Sequence, residues 1–298
     1  MELFAECASG VVCSEGFKFT FAVEEETPVN QHESDSHSWA PTVEAQMLSI
    51  SPSSADSLKQ RLLHPYGLIQ CIWEEDASLE DDRLDDIISF SDLERDVYEG
   101  GLKLWECALD LLDSLQTLCP EASGLNVLEL GCGHGLPALS LLKRGANRAV
   151  FQDFNAQVLE TVTAANLVSN LDPEMLSRCA LVAGDWRDPR LAELILSALE
   201  ERGADLILTS ETIYNLATVP ALLGSIDAVL SRQGRVLVAA KRFYFGVGGG
   251  TWSFLQELEK QGKFQVDHSL EFSDGKSNIR EILVLSRKHS NMKDTFKA

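Results

Sequence analysis

Residues 126–137, N-V-L-E-L-G-C-G-H-G-L-P, decide the fold. The apolar run Val127-Leu128-Glu129-Leu130 meets three alternating glycines, Gly131, Gly133 and Gly135, and a helical pattern follows from Ala138 to Leu142. The order is strand, tight glycine turn, helix N-terminus. Glycine has no Cβ and tolerates positive φ, so a ligand can approach bare backbone at such a turn. The open N–H groups at the helix start then favour the ligand's negative end. The dinucleotide fingerprint of this geometry is G-x-G-x-x-G. Here the third glycine comes one residue early, and Leu136 stands where the dinucleotide Gly or Ala would be.

The spacing G-x-G-x-G after Glu129 instead resembles the first motif of S-adenosylmethionine (SAM) methyltransferases. A second element agrees with it. Ala149-Val150-Phe151-Gln152 is an apolar-leaning strand that ends at Asp153, 22 residues after Gly131. In a βαβ unit that acid stands at the neighbouring strand tip, where a carboxylate accepts both hydroxyls of a ribose. The competing reading is a strand-ending turn, Asp153-Phe154-Asn155.

Outward from this unit, the chain from Asp96 onward reads as α/β. Trp105, Leu109, Leu112 and Leu115 fall at spacings of 4, 3 and 3, one apolar helix face. Strands are expected at 126–130, 148–152, 180–183, 204–209 and 235–239. Helices are expected at 136–144, ended by Gly145, and near 155–169, 190–201 and 218–231. Two further strands, 264–272 and 280–286, flank the turn Ser273-Asp274-Gly275. The expected fold is a Rossmann-like, seven-stranded, mostly parallel sheet with helices on both faces and an antiparallel C-terminal hairpin. The methyltransferase domain is placed at 96–287, between an acidic, partly disordered region at 1–95 and a short tail at 288–298. Within the first region, 24–57 is rich in Glu, Ser, Pro, His and Asp and reads as loose. Residues 17–23 alternate as a docking strand would, and Asp76–Asp96 is an ordered acidic approach.

Composition excludes several classes. No run of 18 apolar residues exists, so no membrane span is expected. The N-terminus lacks the basic and apolar parts of a signal peptide. Seven scattered cysteines form no C-x-x-C pair, and His32 and His37 lie in a loose segment, so no metal site and reduced intracellular thiols are expected. Net charge is −21. Residues 1–96 hold 5 Lys/Arg against 21 Asp/Glu, and residues 97–298 hold 20 against 25. That balance argues against direct nucleic-acid binding, which needs a basic face. A basic protein partner fits an acidic field, the alternative being a tail that only aids solubility.

Ligands of such sheets bind outside the carboxyl ends of the strands. Asp185 and Trp186 follow the third of these strands. The acid there is a candidate acceptor for the adenine amino group, and the indole a flank for its ring or a half-buried core aromatic. After the fourth come Ser210-Glu211-Thr212-Ile213-Tyr214-Asn215. The Asn/Asp-Pro-Pro-aromatic motif of methyltransferases acting on DNA adenine or glutamine is absent there. The glycine run Gly246–Gly250 follows the fifth strand, as a lid or as a plain flexible loop.

At this point the chain resembles a known family. The blocks Y-E-G-G-L-K-L-W-E (98–106), L-E-L-G-C-G-H-G-L (128–136), F-Q-D-F-N (151–155), L-T-S-E-T-I-Y-N (208–215) and Y-F-G-V-G-G-G (244–250) are similar to the protein-histidine N-methyltransferases that modify a large-subunit ribosomal protein. The resemblance covers about residues 90–287, and F-K-F-T-F-A-V-E near the start resembles that family's N-terminus. Glu129 departs from the aspartate often found before the glycines. The resemblance implies SAM as cofactor and residence in cytoplasm and nucleus, including the nucleolus. It also implies cofactor contacts from Leu104, Trp105 and Glu106, from Glu129, Gly131, Gly133 and Gly135, from Gln152, Asp153 and Asn155, from Asp185 and Trp186, and from Ser210. A basic ribosomal protein is the expected partner, and a monomer the expected state.

Histidine chemistry suits such a site. Neutral imidazole has a free lone pair and an unperturbed pKa of about 6.5, so no strong base is needed near neutral pH. The protein must select a tautomer, exclude water and align nitrogen, methyl and sulfur. Glu211, Tyr214 and Asn215 are the candidate catalytic residues, because one of them can accept from the other ring N–H. Glu211 and Asn215 can equally cap the next helix. The alternatives are a lysine methyltransferase of the same fold and a non-catalytic SAM-binding adaptor for a basic client.

Overall fold

The structure, a computed structural model, describes residues 43–51, 56, 58–63, 66–72, 99–273, 275 and 278–288. The expected strand at 17–23, His32 and His37, the acidic approach at 76–96 and the tail from 289 lie outside the described residues.

Three strands precede the first described helix. They are β1 (Gln46–Leu48), β2 (Lys59–Leu63) and β3 (Leu68–Ile72). Then come α1 (Glu106–Leu118), β4 (Asn126–Leu130), α2 (Leu136–Lys143) and β5 (Arg148–Asp153). Helix α3 (Ala156–Val158) passes through a π-helical turn, Leu159–Thr163, into α4 (Ala164–Asn170), and α5 is a single turn, Pro173–Leu176. The chain continues with β6 (Cys179–Ala183), α6 (Pro189–Ala198), β7 (Ala204–Ser210), α7 (Val219–Val229), β8 (Leu230–Lys241), α8 (Thr251–Gln261), β9 (Phe264–Phe272) and β10 (Arg280–Arg287).

The main sheet runs β1-β6-β5-β4-β7-β8-β10-β9. Strands β4 to β8 pair in parallel, and β10 pairs antiparallel with both β8 and β9. The expected seven strands are all present, and the sheet has an eighth. Gln46–Leu48 pairs antiparallel with Leu181–Ala183 at the edge. Residues 43–51 therefore correct the reading of 24–57 as loose. This short strand has only three residues and a single apolar–polar alternation, too little for a periodic signal.

Alternation along the strands builds the two-sided core. Val127, Ala149, Phe151, Leu206 and Leu208 face one layer, which holds Leu111 and Leu115 of α1, Leu139 and Leu142 of α2, and Leu167 of α4. Leu128, Leu130, Val150, Ile207, Val236 and Val238 face the other, with Ile195 of α6, Leu222 and Ile226 of α7, and Phe254 of α8. Helix α1 buries Leu112 and Leu115 of the expected stripe, but not Leu109. Its buried residues are Cys107, Ala108, Leu111, Leu112, Ser114, Leu115 and Leu118, while Leu109 is exposed and Trp105 sits in extended backbone before the helix. Helix α6 stops before 201, because Glu200 and Glu201 both adopt positive φ. Helix α7 gives way at Leu230 to a longer strand than expected.

Strands β2 and β3 form a separate hairpin that docks on α4. Asn166 Oδ1 accepts from the Cys71 N–H at 2.5 Å, and Asn170 Oδ1 accepts from the Ile69 N–H at 2.8 Å while its amide donates back to the Ile69 carbonyl at 2.7 Å.

Candidate functional site

A cavity of about 300 Å³ opens at the carboxyl ends of β4, β5, β6, β7 and β8. In one part of its wall the glycine turn meets two strand tips. Gly131 has φ +61°, and a Cβ there would come within 2.5 Å of Thr212 Cγ2. Gly133 has φ +48° and lies against the Gly101 carbonyl, which a Cβ would approach to 3.1 Å. Asp153 ends β5, and its carboxylate accepts from the Gly133 N–H at 2.9 Å and the Asn155 N–H at 3.1 Å. Burial raises its pKa to about 6, against the lowering effect of those backbone donors. The Trp186 indole N–H donates to Gln152 Oε1 at 2.9 Å, which fixes the ring on the wall.

The structure separates the expected contact residues from residues that stand behind them. Leu104, Trp105, Gly131, Gly133, Asp153, Asp185, Trp186 and Ser210 line the cavity. Glu129, Gly135, Gln152, Asn155 and Glu106 do not. Glu129 faces the layer of α1 and α2, where its Oε2 accepts from the Ala138 N–H at 2.9 Å and supports the start of α2. Gly135 is required by packing, since a Cβ would meet Phe151 Cδ1 at 2.8 Å and Thr163 Cγ2 at 3.1 Å. Gln152 is fully buried and joins the Trp186 indole to the Gly184 carbonyl, to which its amide donates at 2.8 Å. Asn155 Oδ1 accepts from the Glu99 N–H at 3.1 Å and ties down the approach to the cavity. Glu106 begins α1, more than half exposed, with its carboxylate 3.2 Å from Lys241 Nζ. Asp185 lines the cavity, yet its carboxylate is gripped by Arg187, whose Nε lies 2.9 Å and Nη2 2.6 Å from Oδ2. An adenine amino group would have to share it.

The rest of the wall carries Trp105, Glu211, Tyr214, Lys241, Tyr244 and Val247. Glu211 follows β7 in the left-handed region at φ 57°, a conformation costly for a non-glycine residue. Its N–H is held by the Ala239 carbonyl at 2.9 Å. The Tyr244 hydroxyl donates to Glu211 Oε2 at 2.5 Å, and Lys241 Nζ lies 3.6 Å from Oε1, which is buried and accepts no hydrogen bond. Burial and the Glu211 charge push the Tyr244 hydroxyl well above its usual range, so it stays protonated as the donor. The Tyr214 and Tyr244 rings meet edge to face at 6.2 Å. Asn215 does not reach the cavity. Its Oδ1 accepts from the Ala217 N–H at 3.1 Å and closes a turn before α7.

The glycine run after β8 is a clamp. Gly250 N–H donates to the Ile213 carbonyl and Tyr244 N–H to the Gly249 carbonyl, both at 3.0 Å. A Cβ on Gly249 would collide with the Ile213 and Tyr214 carbonyls, so only glycine permits this approach. The run thereby locks Tyr244 beside Glu211.

Lys241, Tyr244 and Cys107 were missed by sequence reasoning. A signal existed for the first two: they follow the fifth expected strand, at its carboxyl end, where ligands of such sheets bind. Cys107, buried on α1 beside Glu211, carried none. His134 also lines the cavity and contacts the Leu102 carbonyl through Nε2 at 3.0 Å.

The cradle fits SAM. Two glycines clear the wall where a Cβ would intrude, an acid stands at the β5 tip, and an indole flanks the third strand end. Residues 86–261, more than half of the chain, match a family profile described as "Lysine methyltransferase". A Dictyostelium discoideum protein described as "Histidine protein methyltransferase 1 homolog" is 35% identical over 202 residues, covering 68% of this chain and 62% of its own. A Bos taurus protein of the same description is 40% identical, covering 62% of this chain and 55% of its own. "Histidine protein methyltransferase 1" of Schizosaccharomyces pombe is 33% identical, covering 63% and 66%. The chain thus spans between about half and two thirds of the length of these curated relatives. With the cradle at the strand ends and the profile spanning it, the chain belongs to this SAM-dependent methyltransferase family, the one described as "Lysine methyltransferase".

Proposed function

We propose that this chain methylates a histidine side chain of a basic protein, a large-subunit ribosomal protein. The observation that carries the proposal is Glu211: a buried carboxylate on the cavity wall, one oxygen held by the Tyr244 hydroxyl and the other accepting no hydrogen bond. A carboxylate fixed at this place on the wall, with Lys241 Nζ 3.6 Å from that second oxygen, suits an imidazole N–H. When bound, SAM supplies an electrophilic methyl group on its sulfonium. The protein's residues do the rest. Glu211 accepts from one ring N–H and so leaves the other nitrogen with its lone pair exposed. Trp105, Tyr214 and Tyr244 offer flat aromatic walls for a planar ring. No strong base is needed, because neutral imidazole is itself the nucleophile.

The description of the relatives at 33–40% identity as histidine protein methyltransferases supports the acceptor, against two at 28% described as N-terminal and lysine N-methyltransferases. The net charge of −21 supports a basic partner steered by complementary fields. Residence in cytoplasm and nucleus, including the nucleolus, and a monomeric state belong to the same proposal. The test is transfer from labelled SAM to purified large-subunit ribosomal proteins, with the modified residue mapped by mass spectrometry. The expected result is methylhistidine. Methyllysine would replace the proposal with its nearest rival. Binding of SAM and client without transfer would make the chain an adaptor.

A further inference from the structure

The acceptor part of the cavity contains a cation site that the chain has already filled. Lys241 Nζ lies 5.4 Å from the centre of the Trp105 ring and 6.0 Å from that of Tyr244, within reach of cation–π attraction. Two carboxylates flank the ammonium, Glu211 at 3.6 Å on the cavity wall and the more than half-exposed Glu106 at 3.2 Å from outside it. The Lys241 side chain is only 20% exposed. Burial acts to lower its pKa, but Glu211 and Glu106 prevail and raise it, so the ammonium is charged at any physiological pH. Two aromatic rings and two carboxylates around an ammonium are what a pocket needs to receive a lysine side chain. Here the ammonium arrives from β8 of the same chain.

We propose that Lys241 is a specificity-determining residue that occupies, in cis, the cation cage formed by Trp105, Tyr244, Glu106 and Glu211, and so bars a lysine acceptor while admitting a neutral imidazole. The inference rests on the histidine reading of the site and says how that preference is enforced. A second ammonium would meet Lys241 at close range in a partly desolvated wall, where like charges repel strongly. It would also find the rings and both carboxylates engaged. Neutral imidazole meets no like charge to repel it, and as an N–H donor it can share the Glu211 carboxylate with Lys241 against an aromatic wall. Specificity is then reached by a repulsive element as well as an attractive one. It accounts for a member of a family described as "Lysine methyltransferase" whose curated relatives carry the name of histidine enzymes. Removing the Lys241 charge would leave Glu106 and Glu211 without that partner beside the Tyr244 ring and the Trp105 ring, over which Lys103 Nζ stays at 4.6 Å, a more anionic environment that attracts an ammonium.

The experiment uses the 298-residue chain saturated with S-adenosylhomocysteine, and two probes. One is n-butylammonium, the lysine side chain in small form, and the other is 4-methylimidazole, the histidine side chain. At about pH 8 the first stays charged and the second is largely neutral. Calorimetry is run on the wild type and on Lys241→Met, which keeps the length of the side chain and removes the charge. n-Butylammonium is expected to bind Lys241→Met at least about tenfold more tightly than wild type, the scale of a desolvated cation–π site. Equal n-butylammonium affinity in the two proteins, measurable or absent, overturns the proposal. A second measurement needs no variant. The Trp105 indole resonance of the wild type should shift with 4-methylimidazole and not with n-butylammonium, and a saturable shift with n-butylammonium alone overturns the proposal as well. Failure of the histidine reading looks different: n-butylammonium gains in Lys241→Met as expected, yet 4-methylimidazole binds neither protein.

Discussion

Glu129→Gln isolates the buried acid behind the glycine turn. Glu129 is 1% exposed, its Oε2 accepts from the Ala138 N–H at 2.9 Å, and its Oε1 is buried without a partner. Burial raises its pKa from 4.5 to about 8; the Ala138 N–H pulls it back down and the Asp153 charge adds to the rise. The folded pKa therefore lies above the unfolded one, and the folded state holds the proton more tightly between the two. The stability contributed is fully present below about pH 4 and is lost as pH rises through 8. At 1.36 kcal/mol per pKa unit, the loss between about pH 5 and pH 8 amounts to roughly 3–4 kcal/mol. Glutamine keeps an oxygen for Ala138 and cannot ionise, so its own cost is the same at every pH. The burial-raised pKa of Asp153 is present in both proteins and largely cancels in the comparison. Urea unfolding of the cofactor-free protein at about pH 5, 6.5 and 8 reads the effect. Wild type should lose stability toward pH 8 relative to Glu129→Gln, by a few kcal/mol. A difference between the two proteins that stays constant across that range would refute the reasoning, and would mean that Glu129 is ionised in the fold.

Three further outcomes are expected. Gly131→Ala places a Cβ within 2.5 Å of Thr212 Cγ2 in a positive-φ backbone, so it should weaken SAM binding by tenfold or more by calorimetry, and unchanged affinity would remove the turn from the cofactor site. Asp153→Asn should cost on the order of 1–3 kcal/mol of SAM affinity, the scale of charge-assisted hydrogen bonds, with the melting temperature telling a lost contact from a lost turn at Gly133. Deleting residues 1–57 removes β1 and the residues before it, where the Ala45 N–H donates to Asp188 Oδ2 at 2.7 Å and the Val43 carbonyl accepts from the Asp185 N–H at 3.2 Å. SAM affinity should fall with it, because those bonds hold the Asp185–Trp186 loop; unchanged affinity would leave the segment to substrate steering alone.

The sheet was legible wherever strands were long, whether buried on both faces like 126–130 or an edge strand like 264–272. Residues 126–130, 148–153, 204–210 and 264–272 form near-continuous apolar or alternating runs bounded by turn residues, and the strand edges fall within a residue of expectation. The edge strand Gln46–Leu48 and the hairpin 59–72 were not legible. Their stability comes from partners remote in sequence, β6 for the first and the Asn166 and Asn170 amides for the second, and no local pattern encodes such a partner. In α1 the expected face held at Leu112 and Leu115 and failed at Leu109, because apolar residues occupy two adjacent stripes and only packing selects Ala108 and Leu111 over Leu109.

The candidate site residues divide in space for a related reason. Side chains alternate along a strand, so a motif contiguous in sequence is split in space. Asp153 faces the cavity, whereas Gln152 before it braces Trp186 and Gly131 from inside the sheet, with Gly131 N–H 3.4 Å from its Oε1. Glu129 lies two residues before Gly131 and yet caps α2 on the far side of the turn. The resemblance carries both sets of residues equally, because a cofactor cradle needs its supports as much as its contacts. The acceptor part was under-read. Its charges come from places far apart in the chain, Glu211 after β7 and Lys241 at the end of β8, with Tyr244 set beside them by a glycine clamp and Glu106 at the start of α1 reaching Lys241 from outside the cavity. None of these spacings is a motif. Only the parallel order β4-β7-β8 brings the ends of those strands together, so that residues far apart in the chain line the same cavity.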